Sequence, residues 1–401
     1  VISVEEARSR ILAGLAPVGV ETVALSEGWG RVLAAEVVAR VTQPPAALSA
    51  MDGYAVRAHE AQAGACLPVI GAAPAGHPYE GVLPAGSAIR LFTGSVLPDG
   101  ADSVVMQENV TPSGDSVTID VAASPGRHVR RAGQDFSAGA SLLAPGRRLT
   151  ARDIGLAAAA NHPWLSVYRR PRIALLATGD EIAMPGEAIP PGGIISSNSH
   201  ALAAMVRAAG GEPVLLPLAV DDLSAIGAAA DHATGCDLLV TSGGASVGDH
   251  DLVQAALAER GLALDFWKIA MRPGKPLMHG RLGALPMLGL PGNPVSAIVC
   301  ATLFLLPAMA VLAGQTPAPL LAERARLGAA LGANDQRADF LRARLARGDD
   351  GGWVATGFTD QASSLLAVLA SADALILRQP HAPAAMAGDE VEVIRLAPLG
   401  V

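Results

Sequence analysis

Between residues 172 and 313 the sequence alternates near-continuous apolar runs with helical segments, and the runs end on threonine, glycine, proline or a carboxylate. RIALLA at 172–177 leads into TGDE at 178–181, and PVLLPLAV at 213–220 leads into Asp221-Asp222. DLLV at 237–240 leads into TSGG at 241–244, and LPMLGL at 285–290 into PGNP at 291–294. Helical stretches at 199–209 and 251–259, another after Asp222, and a strand at 264–269 complete the alternation. A strand that is apolar throughout is buried on both faces, so the pattern predicts a parallel sheet with helices on either side. In such a sheet the ligand site lies beyond the carboxyl ends of the strands. The four motifs stand there.

Charge is scarce in this chain, with 16% charged residues against 51% hydrophobic, so acids at successive strand ends are conspicuous. Glu181, Asp221 and Asp251 facing one crevice would repel one another without a cation, and Mg²⁺ suits carboxylate oxygens completed by water and substrate phosphate. Asp221-Asp222 has a second reading as the N-cap of the following helix. Both readings stand at this point. In SGGASVG, 242–248, the backbone N–H groups around Ser242, Gly243 and Gly244 are placed to reach a phosphate at a helix start. Neither a Rossmann fingerprint nor a Walker A sequence occurs. GASVG at 244–248 fits G-x-S-x-G, but Ser246 stands well past the strand end at Val240, out of place for a nucleophile elbow. Lys268, Arg272 and Lys275 form a cationic group in WKIAMRPGKP, 267–276. Pro273 and Pro276 stiffen that loop, which suits it to a phosphate or another oxyanion.

Other features narrow the class. The net charge of −8 gives no basic footprint for nucleic acid. Cys66, Cys236 and Cys300 are scattered without C-x-x-C spacing, which argues against a disulfide framework or zinc ribbon and fits a reducing cytoplasm. The stretch 295–314 approaches bilayer length, yet it holds Ser296, Thr302 and Pro307 and reads as a core helix broken near Pro307. No signal-peptide pattern opens the chain, and no membrane association is expected. Ser3 and Glu6 form a capping box for a helix to about Ala13. Short apolar runs punctuated by Gly, Pro and Asp between 49 and 135 predict a compact β unit, RRPR at 169–172 a linker, and the tail from 317 further β structure.

SAMDGYAV (49–56), FTG (92–94), GQDF (133–136), TGDE, TSGGASVGDHD (241–251), RPGKP (272–276) and GLPGNPVSA (289–297) together resemble the MoeA family. These are molybdopterin molybdenumtransferases, related to the E domain of gephyrin. The resemblance implies a multi-domain α/β protein: a central doubly wound molybdopterin-binding domain with a parallel-rich sheet (172–316), an N-terminal linker domain (1–48 with 140–171), a small β-rich domain (49–139) and a C-terminal β-barrel-like domain (317–401). It implies an elongated homodimer that inserts molybdenum from molybdate into adenylylated molybdopterin, releasing AMP, with Mg²⁺ or another divalent cation.

On the same footing, Glu181, Asp221 and Asp251 would surround the metal. Lys268, Arg272, Lys275 and Ser296 would bind pterin phosphate or molybdate, with Thr178, Ser242, Gly243, Gly244 and Ser246 from the strand-end loops. Pro291 and Pro294 would shape their loop, and Arg337 or Arg342, with Ser363, would extend the oxyanion pocket. Asp52, Thr93 and Asp135 would reach the cleft from the partner subunit. Arg272 stands where lysine is common in the family, Gln134 where glutamate is frequent, and Asp373 where asparagine is usual. A molybdopterin adenylyltransferase and a gephyrin-like scaffold are the alternatives; the adenylyltransferase and cofactor-receiving proteins are also the expected partners.

Overall fold

The computed structural model describes residues 1–243, 252–317 and 322–401. Its centre is a six-stranded sheet of β1 (Arg172–Ala177), β2 (Glu212–Leu215), β3 (Leu238–Ser242), β4 (Leu262–Phe266), β5 (Met278–Leu282) and β6 (Leu285–Leu290), in the order β2-β1-β3-β6-β5-β4. β2, β1, β3 and β6 are mutually parallel, while β5 runs antiparallel to both β6 and β4. The parallel-rich sheet expected is present, with β5 as its antiparallel member. β5, sequence MHGRL, carries no apolar run; its signal was the turn at Gly283, whose φ of +60° permits the tight hairpin into β6.

Alternation along β1 shows why the sheet is covered twice. Ile173 and Leu175 join one core with Leu202, Met205 and Val206 of the helix Asn198–Ala208 and with the long apolar helix. Ala174 and Leu176 face the other way, against Ile226 of Leu223–Asp231 and Val253 of Leu252–Ala258. Both faces of one strand are apolar because each meets a helix layer. β2 stops at Leu215 instead of reaching 220, since Pro217 has no N–H to give a ladder; only a bridge from Thr178 to Ala219 follows.

The long helix runs from Pro294 to Leu312 without the break expected near Pro307. Proline cannot donate to the carbonyl one turn back, and the backbone absorbs this by widening to a π turn at Ala301–Leu305 just before it. The helix is long and apolar enough to cross a membrane, but most of it is buried inside the protein. It is the spine of the largest core, and Val4, Ala7 and Ile11 of the first helix, Val4–Ala13, pack in that core. Ser3 caps that first helix by accepting from Glu6 N at 3.0 Å.

Val20–Ala24 pairs antiparallel with Trp164–Tyr168, so residues from either side of the β-rich segment build one N-terminal unit. Between them Gly53–Val56 and Ala88–Leu91 lie inside a second six-stranded sheet. Gly53 is dictated by packing there, because a Cβ would stand 2.0 Å from the Val105 carbonyl oxygen. RRPR is fastened and not a loose linker: Arg169 Nη1 and Arg172 N both donate to Asp237 Oδ2, each at 2.7 Å. The tail forms β7 (Ala322–Leu327), β8 (Ala338–Arg347), β9 (Trp353–Gly357), β10 (Ala374–Arg378) and β11 (Glu390–Arg395). The order β8-β9-β7-β11-β10 closes through a β10–β8 pairing into a barrel, and Met271–Arg272 adds to β8 from outside.

Candidate functional site

A cavity of about 740 Å³ opens at the carboxyl ends of β1, β3 and β6. Glycine sets its shape. Gly179 has φ +145°, and a Cβ there would stand 2.7 Å from Glu181 Oε2. Gly243 has φ +102°, and its Cβ would meet the Thr178 carbonyl oxygen at 2.6 Å, so the loops after β1 and β3 touch. Thr178 lines the cavity at 2% exposure, and its hydroxyl has no partner among the described residues.

Asp221 and Asp222 divide the two roles open for them. Asp222 Oδ1 accepts from Ala225 N at 2.9 Å and caps the helix, while Asp221 lines the cavity with Glu181. Asp221 N donates to Asp180 Oδ1 at 2.8 Å, which sets a third carboxylate beside Asp221 though not in the lining itself. Desolvation first, then the charges of Asp180 and Glu181, push the Asp221 carboxyl above the usual carboxylate range. A carboxyl raised by neighbouring acids in this way fits a cation beside it. Among the described residues no three His, Cys, Asp or Glu side chains converge as a complete metal site. Asp251, the third acid expected, lies outside the described residues, as do Gly244 and Ser246.

Other parts of the lining are held by side-chain amides. Asn198 Nδ2 donates to Ser242 Oγ at 2.8 Å and to the Gly292 carbonyl at 2.7 Å, tying the ends of β3 and β6 together. Asn293 Nδ2 donates to Ser363 Oγ at 2.9 Å, and Val295 N to the Ser363 carbonyl at 3.1 Å, which brings barrel-side residues to the start of the long helix. Pro291 and Pro294 line the cavity; Ser296 is buried in the helix and does not. Asn198 and Asp180 are functional candidates that sequence reasoning missed. The signal for Asn198 was an amide at a helix start between two Gly-bearing loops, and Asp180 was in view inside TGDE.

The cations stand apart from the lining. Pro276 brings the RPGKP loop to the rim. Lys275 is exposed, and Lys268 Nζ lies 4.5 Å above the Trp267 ring. Arg272 is bound to Asp339, and Arg337 to Asp335 at 2.7 Å. Arg342 is 1% exposed; its Nε donates to Gln361 Oε1 at 2.9 Å and its Nη1 to the Ala362 carbonyl at 2.8 Å. Burial pushes its guanidinium below the ordinary value. Gly274, at φ +111°, is pressed so closely on the long helix that a Cβ would stand 2.4 Å from Cys300 Sγ.

Asp52, Thr93 and Asp135 do not line this cavity within one chain. Asp52 Oδ1 accepts from Thr93 N at 2.7 Å and Thr93 Oγ1 at 2.9 Å, which holds its carboxyl below the usual range. Asp135 lines a separate pocket of about 360 Å³ with Gln43, Pro44, Leu48, Arg130 and Gln134.

Comparison with known proteins identifies the family. Residues 2–161 match the MoeA N-terminal region (domain I and II), residues 174–311 a probable molybdopterin binding domain, and residues 324–396 the MoeA C-terminal region (domain IV). The molybdopterin molybdenumtransferase 2 of Mycobacterium tuberculosis is 38% identical over 384 residues, covering 93% of this chain and 94% of that one. The molybdopterin molybdenumtransferase of a Nostoc species is 39% identical over 303 residues, 73% and 70% of the two chains. The crystal structure of a molybdopterin biosynthesis MoeA protein from Pyrococcus horikoshii superposes with a TM-score of 0.86 at 30% identity, over 98% of this chain and 99% of that one. From strand-end motifs to barrel, the chain belongs to the MoeA family.

Proposed function

We propose that this protein is a molybdopterin molybdenumtransferase: it inserts molybdenum from molybdate into adenylylated molybdopterin, releases AMP and forms the molybdenum cofactor. The observation that carries the reading is the carboxylate-walled cavity at the strand ends, inside the segment that matches a molybdopterin-binding domain. Glu181 and Asp221, with Asp251, would hold Mg²⁺; that ion supplies polarisation of the phosphoryl oxygens and neutralises charge on the leaving AMP. Thr178 offers its buried hydroxyl, and Ser242 and Gly243 their loop, to the pterin phosphate. Lys268 and Lys275 supply point charges for the oxyanion. Arg342 keeps a second terminal nitrogen without a partner among the described residues, and with Ser363 it extends the pocket from the barrel side.

The same reading takes the working unit to be a cytoplasmic homodimer, with Asp52, Thr93 and Asp135 of the partner subunit completing the cleft. It divides the chain at 1–48 with 140–171, 49–139, 172–316 and 317–401. Upstream it meets a molybdopterin adenylyltransferase, and downstream the proteins that receive the cofactor. Incubating the protein with adenylylated molybdopterin, Mg²⁺ and molybdate should release AMP; no release at any molybdate concentration defeats the proposal. Mixing Asp52→Ala and Glu181→Ala chains, each inactive alone, should restore activity through the one intact cleft of a mixed dimer. Formed mixed dimers that stay inactive would rule out the shared site.

A further inference from the structure

The loop that carries Lys268 and Lys275 is gripped from several sides. Ile2 N donates to the Lys268 carbonyl at 3.3 Å and Ala270 N to the Ile2 carbonyl at 2.8 Å, so the first residues of the chain run beside it. Ile269 N donates to the Lys275 carbonyl at 3.0 Å and closes the loop on itself. On the other flank Ala338 N donates to the Ala270 carbonyl at 2.9 Å, and Met271–Arg272 pairs in parallel with Ala338 and Asp339 of β8.

Arg272 fastens this last join. Its Nε donates to Asp339 Oδ1 at 2.8 Å and its Nη2 to Asp339 Oδ2. Its Nη1 lies 3.7 Å from Asp335 Oδ2, and Asp335 is held in turn by Arg337. Each guanidinium nitrogen thus faces a carboxylate. Asp339 is 4% exposed, so it has lost most of its hydration and depends on this fork. A planar guanidinium meets a carboxylate with two parallel bonds, whereas an ammonium is a point charge. Two cations against two acids also leave the group locally neutral, with little pull on an arriving anion.

We infer that Arg272 is a positioning residue: it locks the barrel to loop 268–276, and thereby fixes Lys268 and Lys275 relative to Arg342 and Ser363, instead of binding the oxyanion itself. The activity consequence rests on the proposed molybdenum insertion; the clamp itself does not. The test uses the full-length protein and the variants Arg272→Gln, Arg272→Lys, Asp339→Asn and the double Arg272→Gln/Asp339→Asn.

Amide hydrogen exchange is followed in segments 268–276 and 336–342, alongside kcat and KM for molybdate. Arg272→Gln and Asp339→Asn should each speed exchange in both segments by about tenfold or more. Each should lower kcat by about tenfold while leaving KM for molybdate within about twofold. The double variant should be no worse than the poorer single one, and Arg272→Lys should fall between wild type and Arg272→Gln. A rise of about tenfold in KM for molybdate in Arg272→Gln, with exchange unchanged and Asp339→Asn silent, would overturn the inference in favour of direct anion binding. If Asp339→Asn does not fold, the two Arg272 variants decide by the same readings. If wild type releases no AMP, the proposed function fails while exchange still judges the clamp: faster exchange supports it and unchanged exchange refutes it.

Discussion

Asn198 offers a direct measure of how far the cavity depends on its loops being tied together. Its amide makes two donor bonds, to Ser242 Oγ at 2.8 Å and to the Gly292 carbonyl at 2.7 Å. A typical net hydrogen bond is worth about 1 kcal/mol, so Asn198→Ala should cost about 2 kcal/mol of loop order. If that order is needed in full at the transition state, kcat/KM for AMP release falls by about 30-fold, at roughly 1.4 kcal/mol per factor of ten. Ser242→Ala removes one of the two bonds and should cost about 1 kcal/mol, or about fivefold. Because the Asn198–Ser242 bond is common to both changes, the double variant should match Asn198→Ala alone. Steady-state AMP release at saturating Mg²⁺, with urea unfolding in parallel, reads all three variants. Activity of Asn198→Ala within about twofold of wild type, or single effects that simply multiply in the double variant, would refute the tie.

Other expectations follow from single contacts. Gly274→Ala sets a methyl 2.4 Å from Cys300 Sγ at a backbone φ of +111°. It should destabilise by about 1–3 kcal/mol from overpacking alone, and Cys300→Ala in the same chain should recover that part in urea unfolding; no recovery would show that the loop moves instead. Thr93→Val removes the hydroxyl bond to Asp52 but not the backbone one, so the Asp52 carboxyl should titrate closer to its ordinary value by NMR. A carboxyl held low in the folded state stabilises above its unfolded pKa and loses that contribution as pH falls through the folded one. The deficit of Thr93→Val should therefore be full above about pH 4 and shrink below it, and a deficit independent of pH would point to packing. A chelator should halt AMP release and Mg²⁺ restore it, with Glu181→Gln needing more Mg²⁺ than wild type; release that persists in chelator would remove the metal from the reading.

The central sheet was legible because its four parallel strands are apolar on both faces and end on glycine, proline or acid, so periodicity and punctuation agree. β5 was not, since a strand spanning His279, Gly280 and Arg281 has no apolar run, and only its hairpin with β6 gives it away. Pro307 misled for a different reason. In isolation proline ends a helix, but this one is embedded in the main core, where burial of Val295 through Leu305 outweighs one lost backbone bond and a π turn takes up the distortion. The site was legible as motifs and not as partners. TGDE and the Asp221-Asp222 pair marked the cavity wall, yet which acid caps and which faces the ligand depends on where the helix starts, and that is a tertiary fact.

Scarce charge turns the wall into a chemical constraint. Burial first, then the charges of Asp180 and Glu181, already raise the Asp221 carboxyl. The nearby arginines are largely committed: Arg272 to Asp339 and Asp335, Arg337 to Asp335, and Arg342 in part to Gln361 and Ala362. Among the described residues that leaves Lys268 and Lys275 as the cations of this loop without an acidic partner, against three carboxylates and the polyanionic substrate of the proposed reaction. Two point charges on one loop, screened by water and salt, do not balance that sum. On the proposed reading, positive charge arrives with the substrate or before it: the repulsion among the acids becomes affinity for a cation, and the cation makes room for the phosphate.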